Sequence, residues 1–213
     1  MKIIRWYTYL TLVLVTILPS ANGQEAKRRW EFMNQIRREK FDLVLPEVMR
    51  ENGIDMWLTV GREGYNEPMA VDLGDAYMGD IGFYIFTDRG GDRIERAALE
   101  IDDYLLNENG AYDIISGDYD LREFVAERDP QTIALNTSKY IAGADGLTHS
   151  YYEHLVEILG EPYVSRFVSS EKLVSDFRSR RVASEIAAFA QLGDLSRRIA
   201  ERALSNEVIT PGI

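Results

Sequence analysis

Apolar residues recur at three- and four-residue steps over residues 24–52, and this period predicts an α-helix. Trp30 and Met33 belong to its apolar stripe. We expect the helix to kink or restart at Pro46, because proline has no N–H to donate and its ring crowds the preceding turn. The pair Asn52-Gly53 then supplies a helix end, since both residues tolerate a left-handed backbone.

Short apolar runs alternate with helical patterns through the middle of the chain. The runs that predict strands are residues 54–60, 82–87, 93–101, 113–116, 132–136 and 166–168, and helical spacing covers residues 121–128 and 150–159. Strands that alternate with helices predict an α/β fold, in which a mixed, mainly parallel sheet has helices on both faces. Gly90-Gly91 predicts a tight hairpin between the second and third strands.

Residues 61–80 form the most irregular stretch, with four glycines and one proline among acidic residues. We expect a long loop at the carboxyl end of the first strand, the edge at which open α/β sheets bind their ligands. Arg62 and Tyr65 are the candidate substrate-binding residues, and the planar guanidinium of Arg62 suits a substrate carboxylate. The alternative for Arg62 is a solvated arginine on a surface loop.

The last predicted element is a long amphipathic helix that opens at Ser184-Glu185-Ile186. Its apolar stripe consists of Phe189, Leu192, Leu195, Ile199 and Ala203, whereas Arg197, Arg198, Glu201 and Arg202 lie mostly off it. The preceding elements already account for both faces of a sheet. The stripe therefore has no obvious partner in the domain before it.

Composition narrows the function classes. A chain of 213 residues with 46% hydrophobic and 28% charged residues has enough apolar side chains to bury a sizeable core. A net charge of −11 repels nucleic acid and anionic lipid, so we expect no nucleic-acid partner. The glycines match no phosphate-binding signature, which leaves nucleotide binding without support.

The first 23 residues have the three-part build of a secretory signal. Lys2 and Arg5 give a positive start, residues 7–18 form an uncharged apolar run, and Ala21-Asn22-Gly23 offers small side chains to a signal peptidase. The apolar run is shorter than the roughly 20 residues of a spanning helix, so we expect no stable membrane span after cleavage. The protein is predicted to be secreted or periplasmic, and the alternative is an uncleaved anchor.

Few residues carry chemistry of their own. His149 and His154 are five residues apart, so on a helix they point roughly 140° away from each other and do not form a metal clamp. Asp118-Tyr119-Asp120 resembles the start of a calcium loop but lacks its glycine and closing glutamate. Asn136-Thr137-Ser138 is a formal glycosylation sequon. We predict no catalytic residue and no metal ligand in this chain.

The end of the sequence carries a family resemblance. Arg178, Arg181 and Glu185-Ile186, followed by Pro211-Gly212, resemble a motif R-x-x-K-[S/T]-x-x-E-[I/L] and a later Pro-Gly in the creatinase, prolidase and Xaa-Pro aminopeptidase metallopeptidases. Arg181 stands where lysine is usual, and Val182 stands where serine or threonine is usual. In that family the motif marks the junction between the amino-terminal domain and the "pita-bread" catalytic domain.

The irregular stretch adds a second resemblance, because residues 62–68 are similar to the segment that follows the first strand in a bacterial subgroup of that family. After the predicted signal peptide at residues 1–23, the resemblance implies a ribonuclease-H-like amino-terminal domain at residues 24–180 and the start of a truncated catalytic domain at residues 181–213. It also implies a homodimer in the parent enzyme, a peptide substrate with proline at the second position, and hydrolysis of the bond before that proline.

The family's two divalent metal ions, such as Mn or Zn, are held by two Asp, one His and two Glu in the catalytic domain. The resemblance therefore implies that this chain lacks the metal ligands and is inactive without the rest of the enzyme. Two alternatives stay open. One is a non-enzymatic secreted interaction module, and the other is a periplasmic small-molecule-binding module that uses residues 61–80.

Export is predicted to remove residues 1–23, because their charge, length and small terminal side chains fit a cleaved signal. Intact-mass analysis of the exported protein is expected to give Gln24, or its cyclised form, as the first residue. A mature mass that still includes residues 6–18 would contradict the prediction.

Overall fold

The computed structural model of the chain describes residues 2–64, 67–74, 76–101 and 103–209, with side chains from Gly23 onward. Its helices are α1 (Lys2–Leu43), α2 (Leu45–Glu51), α3 (Ala70–Leu73), α4 (Tyr104–Asn109), α5 (Leu121–Arg128), α6 (His149–Leu159), α7 (Glu171–Ser179) and α8 (Ala183–Ala203). Its strands are β1 (Met56–Gly61), β2 (Gly82–Thr87), β3 (Glu95–Leu99), β4 (Ile114–Ser116), β5 (Ile133–Leu135) and β6 (Phe167–Ser169).

The strands form one six-stranded sheet in the order β4-β3-β2-β1-β5-β6. The pairs β1–β2 and β2–β3 are antiparallel, and the pairs β1–β5, β3–β4 and β5–β6 are parallel. The mixed, mainly parallel sheet predicted from the sequence is therefore confirmed. Both edge strands have only three residues, which shortens the row of unpaired backbone groups at each edge.

Helices cover both faces of the sheet, as predicted. Every residue of β1 and β2 is buried, and alternate side chains point to opposite faces. Trp57 and Phe86 belong to a core shared with α1, α2 and α7, whereas Leu58 and Ile85 belong to a core shared with α5 and α6. The continuous apolar runs in β1 and β2 reflect this burial on both sides.

The first helix ends at Leu43 and α2 begins with Pro46 in its first turn, where the missing N–H costs nothing, so the predicted restart at Pro46 is confirmed. Other local details differ from the prediction. The predicted long loop contains the short helix α3, and α4 was missed because its six residues carry no clear apolar period. Ser170 occupies the N-cap position of α7, but its hydroxyl donates to Asn136 instead of capping the helix.

An aromatic cluster joins α1, β1 and α7. The ring centroids of Trp57 and Phe86 are 5.1 Å apart, and those of Trp57 and Phe177 are 6.0 Å apart. Phe41 packs edge-on against Phe86 at 5.0 Å, and the Nζ of Lys40 lies 4.5 Å from the centroid of Phe177. This packing fixes α7 on the sheet.

Within the part of the chain that the structure describes, no helix is long and apolar enough to cross a membrane. The side chains of residues 1–22, which make up almost all of the predicted signal, lie outside the described part. Cleavage and export therefore stay predictions.

Replacing Phe177 with alanine is expected to lower the free energy of unfolding by about 3–5 kcal/mol, because the ring is fully packed and its loss leaves a cavity. Its side chain is 1% exposed, whereas that of Phe189 on α8 is 54% exposed. Phe189→Ala is therefore the matched control, with an expected loss below about 1 kcal/mol. Urea denaturation measures both losses, and equal losses would contradict the placement of the two rings.

Candidate functional site

A cavity of about 360 Å³ lies at the carboxyl end of β1, where the sequence predicts a ligand edge. Its lining consists of Gly61, Arg62, Glu63, Gly64, Glu67, Ala70, Ala76, Tyr77, Met78 and Tyr84. Most of these residues belong to the irregular stretch. The cavity falls within the size range of small-molecule sites, which is about 300–1,000 Å³.

Close backbone approaches shape this cavity. A Cβ at Gly61 would lie 2.4 Å from Sδ of Met78, so glycine lets the methionine lie against the end of β1. Gly64 has a φ of 71°, which other residues rarely adopt. The N–H of Glu63 donates to the carbonyl of Gly79 at 3.0 Å, and this bond closes the loop on itself.

Glu67 is the buried acid of the cavity, with 7% of its surface exposed. Its Oε1 accepts a hydrogen bond from Nδ2 of Asn136 at 2.8 Å, and its Oε2 accepts one from the N–H of Met69 at 2.5 Å. Burial raises the pKa of the Glu67 carboxyl, and the bonds from Asn136 and Met69 oppose that rise. A buried acid with a raised pKa beside a cavity is a feature of functional sites.

Asn136 connects Glu67 to the core. Its Oδ1 accepts from Nε1 of Trp57 at 2.8 Å and from Oγ of Ser170 at 2.7 Å. The residue is 1% exposed and its amide nitrogen donates to Glu67, so this fold leaves no room for a glycan on Asn136. Its side chain instead joins β1, the start of α7 and the cavity.

Of the two predicted site residues, Arg62 and Tyr65, the structure describes only Arg62. Arg62 lines the cavity at its exposed rim, and the central carbon of its guanidinium lies 5.3 Å from the ring centroid of Tyr151. Tyr65 lies outside the described residues. Substrate binding by the two side chains therefore stays a prediction. Sequence reasoning missed Glu67 and Asn136 as members of the site, because neither residue differs in type or spacing from its surface neighbours.

The arginine of the resemblance motif connects the loop to the end of α7. Nη2 of Arg178 lies 2.6 Å from Oδ2 of Asp72 and donates to the carbonyl of Pro68 at 2.5 Å. Its Nε donates to the same oxygen of Asp72 at 3.0 Å. A Cβ at Gly143 would lie 2.4 Å from Nη1 of Arg178, so this glycine leaves room for the guanidinium.

The glutamate of the motif holds the start of α8. Oε2 of Glu185 accepts from the N–H of Val182 at 3.2 Å, which is half of a capping box even though valine has no oxygen to complete it. Oε2 also lies 3.8 Å from Nζ of Lys40, and both residues are buried. Arg181 donates to Oε1 of Glu185 at 2.9 Å.

Beyond its first turns, α8 presents large apolar side chains to solvent. The exposed fractions are 58% for Ile186, 54% for Phe189, 57% for Leu192, 49% for Leu195 and 61% for Ile199. A groove of about 310 Å³ separates the start of this face from the last third of α1, which contributes Phe32 and Met33 to the lining. The stripe predicted from the sequence is therefore uncovered in this structure.

The side chains described by the structure include no group of three or more His, Asp or Glu residues that fits a metal ion. His149 lies 3.4 Å from Glu153 with both side chains mostly exposed. Asp120 accepts from the N–H of Glu123 at 2.8 Å and caps α5, which accounts for one acid of the calcium-like sequence. A two-metal centre does not fit this donor set.

Among solved structures, the chain is similar to the prolidase from Pyrococcus horikoshii OT3, with a TM-score of 0.48 and 16% sequence identity. The similarity covers 83% of this chain and 44% of that chain, so this chain spans less than half the length of that protein. No protein-family model and no curated protein match. A likeness at this level carries no conclusion about activity.

The buried position of Glu67 predicts a pH dependence of stability. Its folded-state pKa is raised above 4.5, so folding favours the neutral acid, and the unfolded chain ionises first as the pH rises. Relative to Glu67→Gln, the wild-type protein is therefore expected to lose stability as the pH rises from 4.5 through the raised pKa.

Urea denaturation at a series of pH values measures this difference. Glu63→Gln, at the exposed rim of the same cavity, is the matched control and is expected to leave the pH profile nearly unchanged. A wild-type protein that gains stability over Glu67→Gln as the pH rises would contradict the prediction.

Proposed function

We propose that this chain is the amino-terminal, non-catalytic portion of a secreted metallopeptidase that hydrolyses Xaa-Pro bonds. The observation that carries the proposal is the uncovered apolar face of α8, which begins at Ile186, the last residue of the Arg178 to Ile186 motif. Both the motif and the face belong, in the resembled family, to the junction with a catalytic domain. In the proposal, residues 24–180 are the amino-terminal domain and residues 181–213 begin the catalytic domain.

The cost of exposing apolar side chains to water supports the proposal that another protein unit covers α8. Full burial of one large apolar side chain is worth about 1.5–3 kcal/mol, and five such side chains on this helix are about half exposed. Covering them therefore stabilises the protein by several kcal/mol. A contiguous apolar face of this kind is typical of a surface that meets another protein unit.

The anchored start of α8 supports the same proposal. The buried pair of Lys40 and Glu185 fixes the direction in which the helix leaves the α/β domain. Burial lowers the pKa of Lys40, and the charge of Glu185 opposes that effect. A fixed exit direction suits a helix that positions a second domain, because the exposed face then has a defined orientation.

In the proposed enzyme, the following domain holds the two divalent metal ions that activate water for cleavage of the bond before proline. This chain contributes to a homodimer and narrows access to the active site, with Arg62 and Tyr65 as substrate contacts. The donor set of the described residues does not fit the metal centre. Catalysis therefore depends on residues beyond those described.

The 213-residue chain, purified without further sequence, is expected neither to hydrolyse Xaa-Pro peptides nor to retain stoichiometric metal. Elemental analysis after gel filtration and a peptidase assay measure the two quantities. About two tightly held ions per chain, with cleavage that a chelator abolishes, would contradict the proposal.

The reading frame of the gene beyond Ile213 separates the proposal from its main alternative. A frame that continues into two Asp, one His and two Glu ligands supports the enzyme. A stop codon directly after Ile213 supports a non-enzymatic interaction module and overturns the proposal.

A further inference from the structure

Among the residues that the structure describes, the lining of the cavity at the end of β1 has one cation and two acids. Arg62 and Glu63 stand at its exposed rim, and Glu67 is more than nine-tenths buried. Most of the remaining lining side chains are apolar or aromatic, including Ala70, Met78 and Tyr84. The formal charge of the lining is therefore −1, which favours a ligand with a positively charged group.

Glu67 has acceptor capacity for such a group. A carboxylate offers about four lone-pair positions, and the hydrogen bonds from Asn136 and Met69 occupy two of them. Both donors are neutral N–H groups. A ligand cation would add a charge-assisted hydrogen bond, which is roughly twice as strong as a neutral one. The positive charge of the ligand would also offset the free-energy cost of keeping the Glu67 carboxylate away from water.

We propose that this cavity binds a small apolar amino acid, with Glu67 accepting a hydrogen bond from the ligand's ammonium group. The apolar wall formed by Ala70, Met78 and Tyr84 receives the ligand's side chain. Arg62 at the rim faces the ligand's carboxylate, because a guanidinium pairs with a carboxylate in a planar geometry. The inference does not depend on the proposed peptidase function, since it uses only residues of this cavity.

Trp57 provides a reporter for the site. Its indole N–H donates to Asn136, and Asn136 donates to Glu67. An ammonium group on Glu67 withdraws charge from that acceptor and repolarises the chain of hydrogen bonds. The indole N–H resonance of Trp57, assigned with Trp57→Phe, is therefore expected to shift on ligand binding.

The experiment titrates the folded protein with three matched probes, L-leucine, N-acetyl-L-leucine and L-leucinamide, and follows the indole resonance by NMR. L-leucine is expected to bind and to shift the Trp57 signal. N-acetyl-L-leucine, which lacks the ammonium group, is expected to bind at least tenfold more weakly. L-leucinamide keeps the ammonium group and is expected to shift the same signal, with lower affinity because it lacks the carboxylate.

Two variants test whether the probe binds at Glu67. Glu67→Gln is expected to remove the preference for L-leucine over N-acetyl-L-leucine, whereas Glu63→Gln at the rim is expected to retain it. If Glu67→Gln does not fold, Ala70→Leu provides a second test. The larger side chain narrows the cavity while Glu67 and its hydrogen-bond donors stay unsubstituted, and the variant is expected to abolish binding.

Three outcomes would overturn the inference. The first is that none of the probes shifts the Trp57 resonance at millimolar concentration. The second is that N-acetyl-L-leucine binds as tightly as L-leucine. The third is that Ala70→Leu leaves the binding unchanged.

Discussion

The hydrogen bonds of one buried amide, Asn136, join the central strand β1, the start of α7 and the loop that lines the cavity. Its oxygen accepts from Trp57 on β1 and from Ser170 at the start of α7, and its nitrogen donates to Glu67 beside the cavity. Removing this amide would leave two buried polar groups, the indole N–H of Trp57 and the hydroxyl of Ser170, without their acceptor, while Glu67 would keep its bond from Met69. Each such group costs about 1–3 kcal/mol, so the side chain is worth more than any single bond it makes.

The arginine and glutamate of the resemblance motif extend this connection to α8. Arg178 binds Asp72 and the carbonyl of Pro68, so the end of α7 is tied to the loop that forms the cavity. Glu185 then meets Lys40 where α8 leaves the domain. Buried ion pairs contribute little net stability, because desolvation offsets their attraction. Their role here is to position α8, since they set the direction in which the helix leaves the domain.

The periodic parts of the fold and the edge that holds the cavity were predictable from the sequence, but the buried polar residues of the cavity were not. Residues 82–87 and 121–128 match β2 and α5 because their apolar patterns are set by burial on one or both sides. Glu67 resembled the solvated acids around it, and Asn136 resembled a glycosylation site. Both residues owe their roles to contacts across long sequence separations. A periodicity argument carries no information about such contacts.

The motif residues illustrate a second limit of prediction from the sequence. The order of Arg178, Glu185 and Ile186 resembled a family motif, but only the structure shows what each side chain contacts. Arg178 binds the loop, Glu185 holds the start of the helix, and Ile186 is 58% exposed. The departure at Val182 is tolerated because the carboxylate of Glu185 binds the N–H of that residue without help from a hydroxyl.

The central claim is that α8 carries an apolar face that needs a cover from outside the described domain. Amide hydrogen exchange over residues 184–206, in a dilute monomeric solution of the chain, tests it most directly. Most of the stability of a helix in a protein comes from packing of its apolar face, so we expect fast exchange beyond the turn held by Glu185 and strong protection once the proposed catalytic domain is added. Strong protection of the whole helix in the dilute monomer would contradict the claim, because the helix would then be packed on its own domain.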